Sequence, residues 1–338
     1  MSGDVIVTIT LNVALHVAYK TGDASMAGDQ AAEGIIPVSR PACRAGGRGV
    51  TVARVLRAFG HDVLAAGLAG GASGELIVQD LARSGVPTAF TLIRGESRRF
   101  FRFSGPGSPT RRFSEPGPYI TTEELGRFAA DYRRLMTEAA AVVLCGSLPD
   151  GLDADTYGSL VTYAVEAGVP VILDAGGDEL KHAVGHGPDL VVAESGAGPG
   201  DPAELGATLV RLGAGAAAVA AGDVVSAVAA GGRWTARVET PPAEDTAAVA
   251  ARPEPAKPEP GYAPARGALV AGLVPGQLLG WSWPDRLRHA LALAAGGAGT
   301  WTREPGDAVE RDRVDLAAYE RLLDAVRVEP SSSRYFKE

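Results

Sequence analysis

Apolar residues along the middle of the chain occur as short continuous runs and as longer segments with helical spacing. Three apolar runs lie at 142–148, 169–173 and 189–193, and a segment with helical spacing at about 155–167 separates the first two. Strands that are apolar throughout are typical of a parallel sheet covered by helices on both faces. The pattern therefore predicts an α/β fold, in which ligands bind beyond the carboxyl ends of the strands.

The N-terminal half predicts additional strands and helices. A run of β-branched residues at 5–11 predicts a strand, and a glycine loop leads into an amphipathic helix that ends near Gly60. Alternating residues at 89–115, joined by Gly and Pro turns, predict an antiparallel sheet. A helix that begins with the capping-box pair Thr121 and Glu124 is expected to follow.

The C-terminal half predicts strands and helices separated by a Pro-rich segment. The strands are expected at 216–221, 224–229 and 234–238, and the helices at about 268–279, 284–297 and 314–326. Segment 241–264 is low in complexity and is predicted to be a flexible insertion. The tail at 330–338 is predicted to be disordered.

Composition narrows the classes of function. The net charge of −8 argues against non-specific nucleic-acid binding, which needs a basic face. The sequence shows no signal-peptide pattern and no apolar run long enough to span a bilayer, so a cytoplasmic protein without a membrane partner is expected. Cys43 and Cys145 lack the spacing of metal ligands and are predicted to be buried thiols.

Five short motifs carry a family resemblance. They are Leu11-Asn12-x-Ala14, Gly46-Gly47-Arg48-Gly49-x-x-Val52-Ala53-Arg54-Val55-Leu56, Gly67-x-x-Gly70-x-x-x-Gly74, Glu115-Pro116-Gly117-Pro118 and Gly146-Ser147-Leu148-Pro149-x-Gly151. Together they resemble the PfkB (ribokinase-like) sugar kinases, in the branch of 1-phosphofructokinase and tagatose-6-phosphate kinase. The resemblance is strong in the first half of the chain and weaker in the rest.

The resemblance implies one domain at 1–329, folded as a three-layer α/β/α sandwich with a small β-sheet lid. The lid strands are expected within about 12–45 and 89–115, and a homodimer is expected to form through the lid. The family transfers phosphate from ATP to a sugar phosphate. ATP and Mg²⁺ are therefore the implied cofactors of an active chain, and a sugar phosphate is the implied small-molecule partner.

The resemblance also implies a substrate side. Its residues are Asn12, His16, Gly46, Gly47, Arg48, Thr51 and Arg98. His16 stands where the family has an acid, and Phe100 aligns with a polar asparagine. Arg48 replaces a lysine and keeps a cation for a substrate phosphate. His16 is expected to be a hydrogen-bonded structural histidine and not a new catalytic group.

The nucleotide side departs further from the family pattern. Its positions are Glu194, Ala265, Arg266 and Gly267. Gly267 stands where the family has its catalytic aspartate, and Arg266 stands where it has a glycine of the anion hole. No Asp or Glu lies between Gly261 and Gln277, so a small shift of the alignment does not restore the base. Arg266 is expected either to block the phosphate site or to lie at the surface.

Three functions remain open on the sequence alone. The favoured one is a pseudokinase that binds a sugar phosphate or a protein partner, with no catalytic or metal-binding residue assigned. The second is an active hexose-phosphate kinase that uses a relocated base, for which Asp174, Asp178 and Asp307 are the candidates. The third is a structural or interaction scaffold. The loss of a general base typically lowers a rate by ~10²–10⁴-fold, which favours the first.

Overall fold

The computed structural model describes residues 5–21, 38, 40–105, 108–195, 201–239, 263–297 and 316–331. The strands within these residues are β1 (Val5–Thr10), β2 (Ala14–Lys20), β3 (Ala42–Gly46), β4 (Val63–Gly70), β5 (Thr88–Ile93), β6 (Arg98–Gly105), β7 (Ser108–Ser114), β8 (Ala139–Cys145), β9 (Val171–Asp174), β10 (Leu190–Glu194), β11 (Ala216–Ala221), β12 (Val224–Ala229), β13 (Gly232–Val238) and β14 (Val326–Pro330). The α-helices are α1 (Arg48–Ala58), α2 (Gly71–Arg83), α3 (Thr122–Met136), α4 (Thr156–Glu166), α5 (Gly177–Ala183), α6 (Pro202–Leu212), α7 (Ala263–Leu278), α8 (Trp283–Ala292) and α9 (Leu316–Ala325).

A ten-stranded sheet runs through the centre, in the order β14-β13-β12-β11-β10-β9-β8-β1-β4-β5. The strands from β11 to β5 are parallel, and β12, β13 and β14 extend the sheet in antiparallel fashion. Alternate side chains of β1 enter different cores, with Ile6 on one face and Val7 and Ile9 on the other. One core contains α1, α2, α7 and α8, and the other contains α3, α4 and α6. The predicted three-layer α/β/α architecture is confirmed.

Local signals set the helix starts. The Thr121 hydroxyl accepts a hydrogen bond from the Glu124 amide at 3.3 Å, and Glu124 Oε2 accepts one from the Thr121 amide at 2.9 Å. This capping box satisfies two of the free amides at the start of α3, as predicted. The second oxygen of the Glu124 carboxylate accepts from the Arg94 amide at 2.7 Å, which ties the helix to the end of β5.

A separate four-stranded sheet, the lid, has the order β3-β2-β6-β7. The chain passes into the lid twice, first after β1 and again after β5. The β2–β3 and β6–β7 pairs are antiparallel, whereas β2 and β6 run parallel. The lid therefore begins four residues beyond the carboxyl end of β1.

The structure corrects three expectations about the strands. Residues Thr88–Ile93, predicted within the lid segment, pair with β4 at the edge of the large sheet. The alternation of this segment suits an edge strand as well as a lid strand, so the pattern did not distinguish them. The lid is not wholly antiparallel, because β2 and β6 are parallel. Strand β14 continues to Pro330, where the tail was expected to begin, because it pairs with β13.

The predictions for the two cysteines, for the insertion and for the tail can be compared with the structure only in part. Cys145 is buried, but Cys43 is exposed in β3, so the prediction of two buried thiols was wrong for Cys43. Most of the predicted insertion at 241–264 and of the tail at 330–338 lies outside the described residues; the insertion's last two residues belong to α7. Among the described residues, no helix is both long and apolar enough to cross a membrane.

Candidate functional site

An aspartate that ends a buried strand lies at the centre of the site. Asp174 closes β9 at the carboxyl edge of the large sheet, and its side chain has no solvent exposure. Arg48 Nε lies 3.2 Å from Asp174 Oδ2, and Arg266 Nη2 lies 2.6 Å from Asp174 Oδ1. Burial raises the pKa of Asp174, while the two guanidinium groups oppose that rise. One carboxylate thus joins the start of α1 to the start of α7.

Arg266 turns inward from the first turn of α7, and its side chain is 13% exposed. Its Nη2 also donates to the carbonyls of Val192 at 3.0 Å and Ala175 at 3.4 Å. Its Nη1 lies 3.4 Å from Glu194 Oε2 at the end of β10. Of the two expectations for this residue, surface exposure is therefore excluded.

The residue after Arg266 packs against α1. A Cβ added to Gly267 would lie 2.8 Å from both Cβ and Cγ2 of Thr51. Thr51 is fixed in turn by a hydrogen bond from its hydroxyl to the Gly47 carbonyl at 3.3 Å. Gly267 therefore allows α7 to approach α1, and the space that a side chain would need is filled. Ala265 precedes both residues in the first turn of α7.

The glycine loop before α1 holds the histidine of the lid. Gly47 caps α1 with a φ of 122°, a conformation that favours glycine. A Cβ on Gly46 would lie 2.2 Å from His16 Nε2, so the missing side chain leaves room for the imidazole. On another side, the Phe100 ring centroid lies 5.2 Å from that of His16. Burial, reinforced by Arg98, lowers the pKa of His16 to about 4.

We expect the stability of this protein to fall between pH 6.5 and 4. The pKa values of His16 and His289 are both lowered to about 4 in the folded chain, mainly by burial. The unfolded chain takes up these protons near pH 6.5, so the stabilisation is complete above that pH and is lost as the pH falls towards 4. Each histidine should contribute about 3 kcal/mol to the loss.

Urea unfolding at pH 7.0, 5.5 and 4.5 measures this effect, with flatter curves expected for His16→Gln and His289→Gln. His182→Gln, at an exposed position, is the matched control. Identical pH slopes for all three variants and the unmodified chain would contradict the assignment.

Asn12 and Arg98 join the lid to the strand ends. Arg98 Nε donates to the Asn12 carbonyl at 3.2 Å, and Asn12 Nδ2 donates to Ser147 Oγ and to the Leu148 carbonyl, each at 3.3 Å. Asn12 Oδ1 is buried and has no hydrogen-bond partner among the described residues. Burial also lowers the pKa of Arg98. An amide oxygen and a guanidinium therefore lie together between the lid and the strand ends.

The acids of the site do not fit a bound Mg²⁺ in this arrangement. Mg²⁺ is held by carboxylate oxygens that remain free to coordinate it, but Asp174 and Glu194 both face the guanidinium of Arg266. Asp178 is exposed and pairs with Lys181 at 2.7 Å, and Asp307 lies outside the described residues. No group of three or more His, Cys, Asp and Glu side chains suited to a metal occurs in the described part of the chain.

The sequence motifs locate most of the residues that meet here. They do not indicate that Asp174 joins the two halves of the site, because its partners Arg48 and Arg266 lie far from it in the sequence. The carbonyls of Val192 and Ala175 leave no signal in side-chain patterns, because backbone groups are common to every residue. The available clue was an apolar strand that ends in an acid at the ligand-binding edge.

Comparison with known proteins places the chain in a family. Residues 17–195 match the pfkB family carbohydrate kinases. A tagatose-6-phosphate kinase from Staphylococcus epidermidis is 34% identical over 179 residues, which are 53% of this chain and 56% of that protein. The match thus spans little more than half the length of this curated relative.

Solved structures show the same fold at low identity. A putative phosphofructokinase from Staphylococcus aureus has a TM-score of 0.73 and 20% identity, covering 96% of this chain and 98% of that one. A possible 1-phosphofructokinase from Thermotoga maritima has a TM-score of 0.74 and 21% identity, covering 97% and 100%. The phosphofructokinase-2 of Escherichia coli in complex with fructose-6-phosphate has a TM-score of 0.72 and 21% identity, covering 96% and 99%. The predicted resemblance is confirmed, and since the family match covers more than half of its residues, the chain belongs to the pfkB family of carbohydrate kinases.

Proposed function

We propose that this chain is a phosphosugar-kinase homologue that binds a sugar phosphate and transfers phosphate poorly or not at all. The observation that carries the proposal is the inward Arg266, whose Nη2 lies 2.6 Å from Asp174 Oδ1 at the beginning of α7. In the family motif, the aligned segment supplies an anion hole and the base. Here the same segment supplies a guanidinium that is already paired.

The chemistry of transfer supports this proposal. Phosphoryl transfer to a hydroxyl needs a positioned group that accepts the proton. The guanidinium of Arg266 carries hydrogen-bond donors and no acceptor, and Gly267 has no side chain and no room for one beside Thr51. Asp174 is a poor substitute, because it is fully buried and its two oxygens face two different arginines.

The substrate side retains groups that suit a phosphorylated sugar. Arg48 is 22% exposed and retains a cation at the start of α1. Arg98 adds a second cation, and Asn12 Oδ1, which has no hydrogen-bond partner in the described part of the chain, is an acceptor for a hydroxyl. Guanidinium groups bind phosphate through paired hydrogen bonds. The complex of E. coli phosphofructokinase-2 with fructose-6-phosphate supports a hexose phosphate as the ligand class.

Two rival functions are distinguished from this proposal by the same assays of phosphate transfer and sugar binding. An active kinase would need ATP, Mg²⁺ and a relocated base. A scaffold would act through its surface, for which the homodimer through the lid is our proposed assembly. The stacked rings of Tyr19 and Phe103, and Phe113, which is 52% exposed, support an association through the lid.

The full chain should transfer no labelled γ-phosphate from Mg-ATP to fructose 1-phosphate, fructose 6-phosphate or tagatose 6-phosphate above 1% of an ordinary kinase rate, which is ~1–100 s⁻¹. The reason is the missing proton acceptor. Calorimetry should nevertheless detect binding of at least one of these sugars. Turnover in the ordinary range would overturn the proposal, and folded protein that binds none of the sugars would favour the scaffold.

Arg48→Ala tests the substrate side and should weaken the observed sugar binding at least tenfold. The matched control is Arg57→Ala on the same helix, because Arg57 is exposed and pairs with Asp62 at the surface. Circular dichroism establishes that both variants are folded. Unchanged affinity in Arg48→Ala would show that the phosphate binds elsewhere.

A further inference from the structure

Four oxygen atoms surround the guanidinium of Arg266. They are Asp174 Oδ1 at 2.6 Å, the Val192 carbonyl at 3.0 Å, the Ala175 carbonyl at 3.4 Å and Glu194 Oε2 at 3.4 Å. Two are carboxylate oxygens and two are backbone carbonyls, one from Val192 within β10 and one from Ala175 directly after β9. We call this set the oxygen cage. Its elements are fixed by the pairing of β9 with β10, so the cage belongs to the sheet and not to α7.

The guanidinium does not match the oxygen cage well as a hydrogen-bond donor. Its Nη2 carries two hydrogens but faces three of the four oxygens. Its Nε is buried and has no hydrogen-bond partner among the described residues. Nη2 thus faces more oxygens than it has hydrogens, while the N–H of Nε has no acceptor among those residues. A compact cation at the same place would suit these oxygens better than the planar guanidinium does.

The chemistry of the oxygen cage is that of a site for a hard cation. Ca²⁺ binds carboxylate and carbonyl oxygens in flexible geometry, and Mg²⁺ is held by one or two carboxylates with waters completing its shell. The cage offers both kinds of oxygen, with Asp174 fully buried and Glu194 partly open to solvent. Arg48 pairs with Oδ2 of Asp174, whereas the partner described for Oδ1 is Arg266. A buried carboxylate oxygen without a partner is costly, so a positive charge is favoured beside Oδ1.

We infer that Arg266 is a built-in replacement for a bound cation, which occupies the oxygen cage permanently from α7. The folded chain then needs no dissolved cation at this position. Removal of the arginine side chain exposes a site that takes Ca²⁺, or Mg²⁺ or K⁺ with lower affinity. This inference goes beyond the proposed function, because it concerns the charge balance of the sheet edge and holds whether or not a sugar binds.

The test compares the full chain with Arg266→Ala by calorimetric titration with CaCl₂, MgCl₂ and KCl, without any sugar or nucleotide. Arg266→Ala should bind Ca²⁺ at least tenfold more tightly than the unmodified chain, with a midpoint of thermal unfolding that rises with the Ca²⁺ concentration. The unmodified chain should show no such rise. Arg288→Ala, which removes an exposed arginine paired with Asp285, is the matched control and should behave as the unmodified chain.

A double variant, Arg266→Ala with Asp174→Asn, should lose the added Ca²⁺ affinity, because it removes a carboxylate of the oxygen cage. Folded Arg266→Ala that binds no cation more tightly than the control would overturn the inference. So would a variant that fails to fold with and without 10 mM CaCl₂, since a cation in the cage should restore folding. Because sugars are absent, failure here leaves the proposed function untouched, and failure of the sugar assays leaves the cage untouched.

Discussion

Asp174→Asn should lower the free energy of unfolding by about 3 kcal/mol. The substitution keeps the volume of the side chain but removes the negative charge between Arg48 and Arg266. Both arginines are mostly buried, with side chains 22% and 13% exposed, so neither guanidinium is well solvated when its partner is lost. Urea unfolding at pH 7.5 measures the change.

The control for that measurement is Asp178→Asn, which removes an acid of the same type from an exposed pair with Lys181. Exposed ion pairs contribute little, so its urea midpoint should match that of the unmodified chain. Equal midpoints for the two variants would mean that the charge of Asp174 does not hold the two arginines.

Gly267→Asp should fail to create a kinase and should destabilise the chain by about 3 kcal/mol. The new Cβ would lie 2.8 Å from Thr51 Cβ and Cγ2, and overpacking of this kind costs about 1–3 kcal/mol. The carboxylate adds the cost of burying a charge next to a helix contact. Urea unfolding measures the stability, and the labelled-phosphate assay tests for any gain of transfer.

Gly267→Ala separates the steric part from the charge. In an uncrowded helix this change is favourable by about 1 kcal/mol, so a net loss reports the contact with Thr51. The double variant of Gly267→Ala with Thr51→Gly should recover most of the stability lost through this contact, so a double-mutant cycle should show coupling between the two positions. A stable Gly267→Asp chain with ordinary kinase turnover would show that α7 moves away from α1 and that only the acid was missing.

The central sheet was predictable because its strands are apolar on both faces. Each strand is therefore a continuous apolar run, which can be recognised in the sequence without knowledge of its pairing partner. The capping box at Thr121 and Glu124 was predictable for the same reason, since both residues lie within one turn. Strand β14 was not predictable, because its five residues form a strand by pairing with β13, which lies far back in the chain. Strand β5 was wrongly assigned to the lid, because an alternating pattern predicts a strand but does not indicate which sheet the strand joins.

The sequence predicted most residues of the site, but it did not predict which of them form ion pairs with each other. The motifs assigned Arg48 to the substrate side and Arg266 to the nucleotide side, and they indicated that the acid at position 267 is missing. The inward direction of Arg266 was left open, because it depends on the attraction of a buried acid elsewhere in the chain. Asp174 provides that attraction from a different strand, and such long-range pairing has no local signature.

The lid is built from two separate stretches of the chain, which has a consequence for the order of folding. β2 pairs with β6, so Ala14 must meet Arg98 across a long loop that contains α1, β4, α2 and β5. Contacts between residues so far apart form slowly, because the closure of the loop precedes any gain from pairing. Strand β6 of the lid is also only half-buried, whereas β1 and β8 are almost fully buried, so the backbone amides of the lid should exchange with solvent ahead of those in β1 and β8.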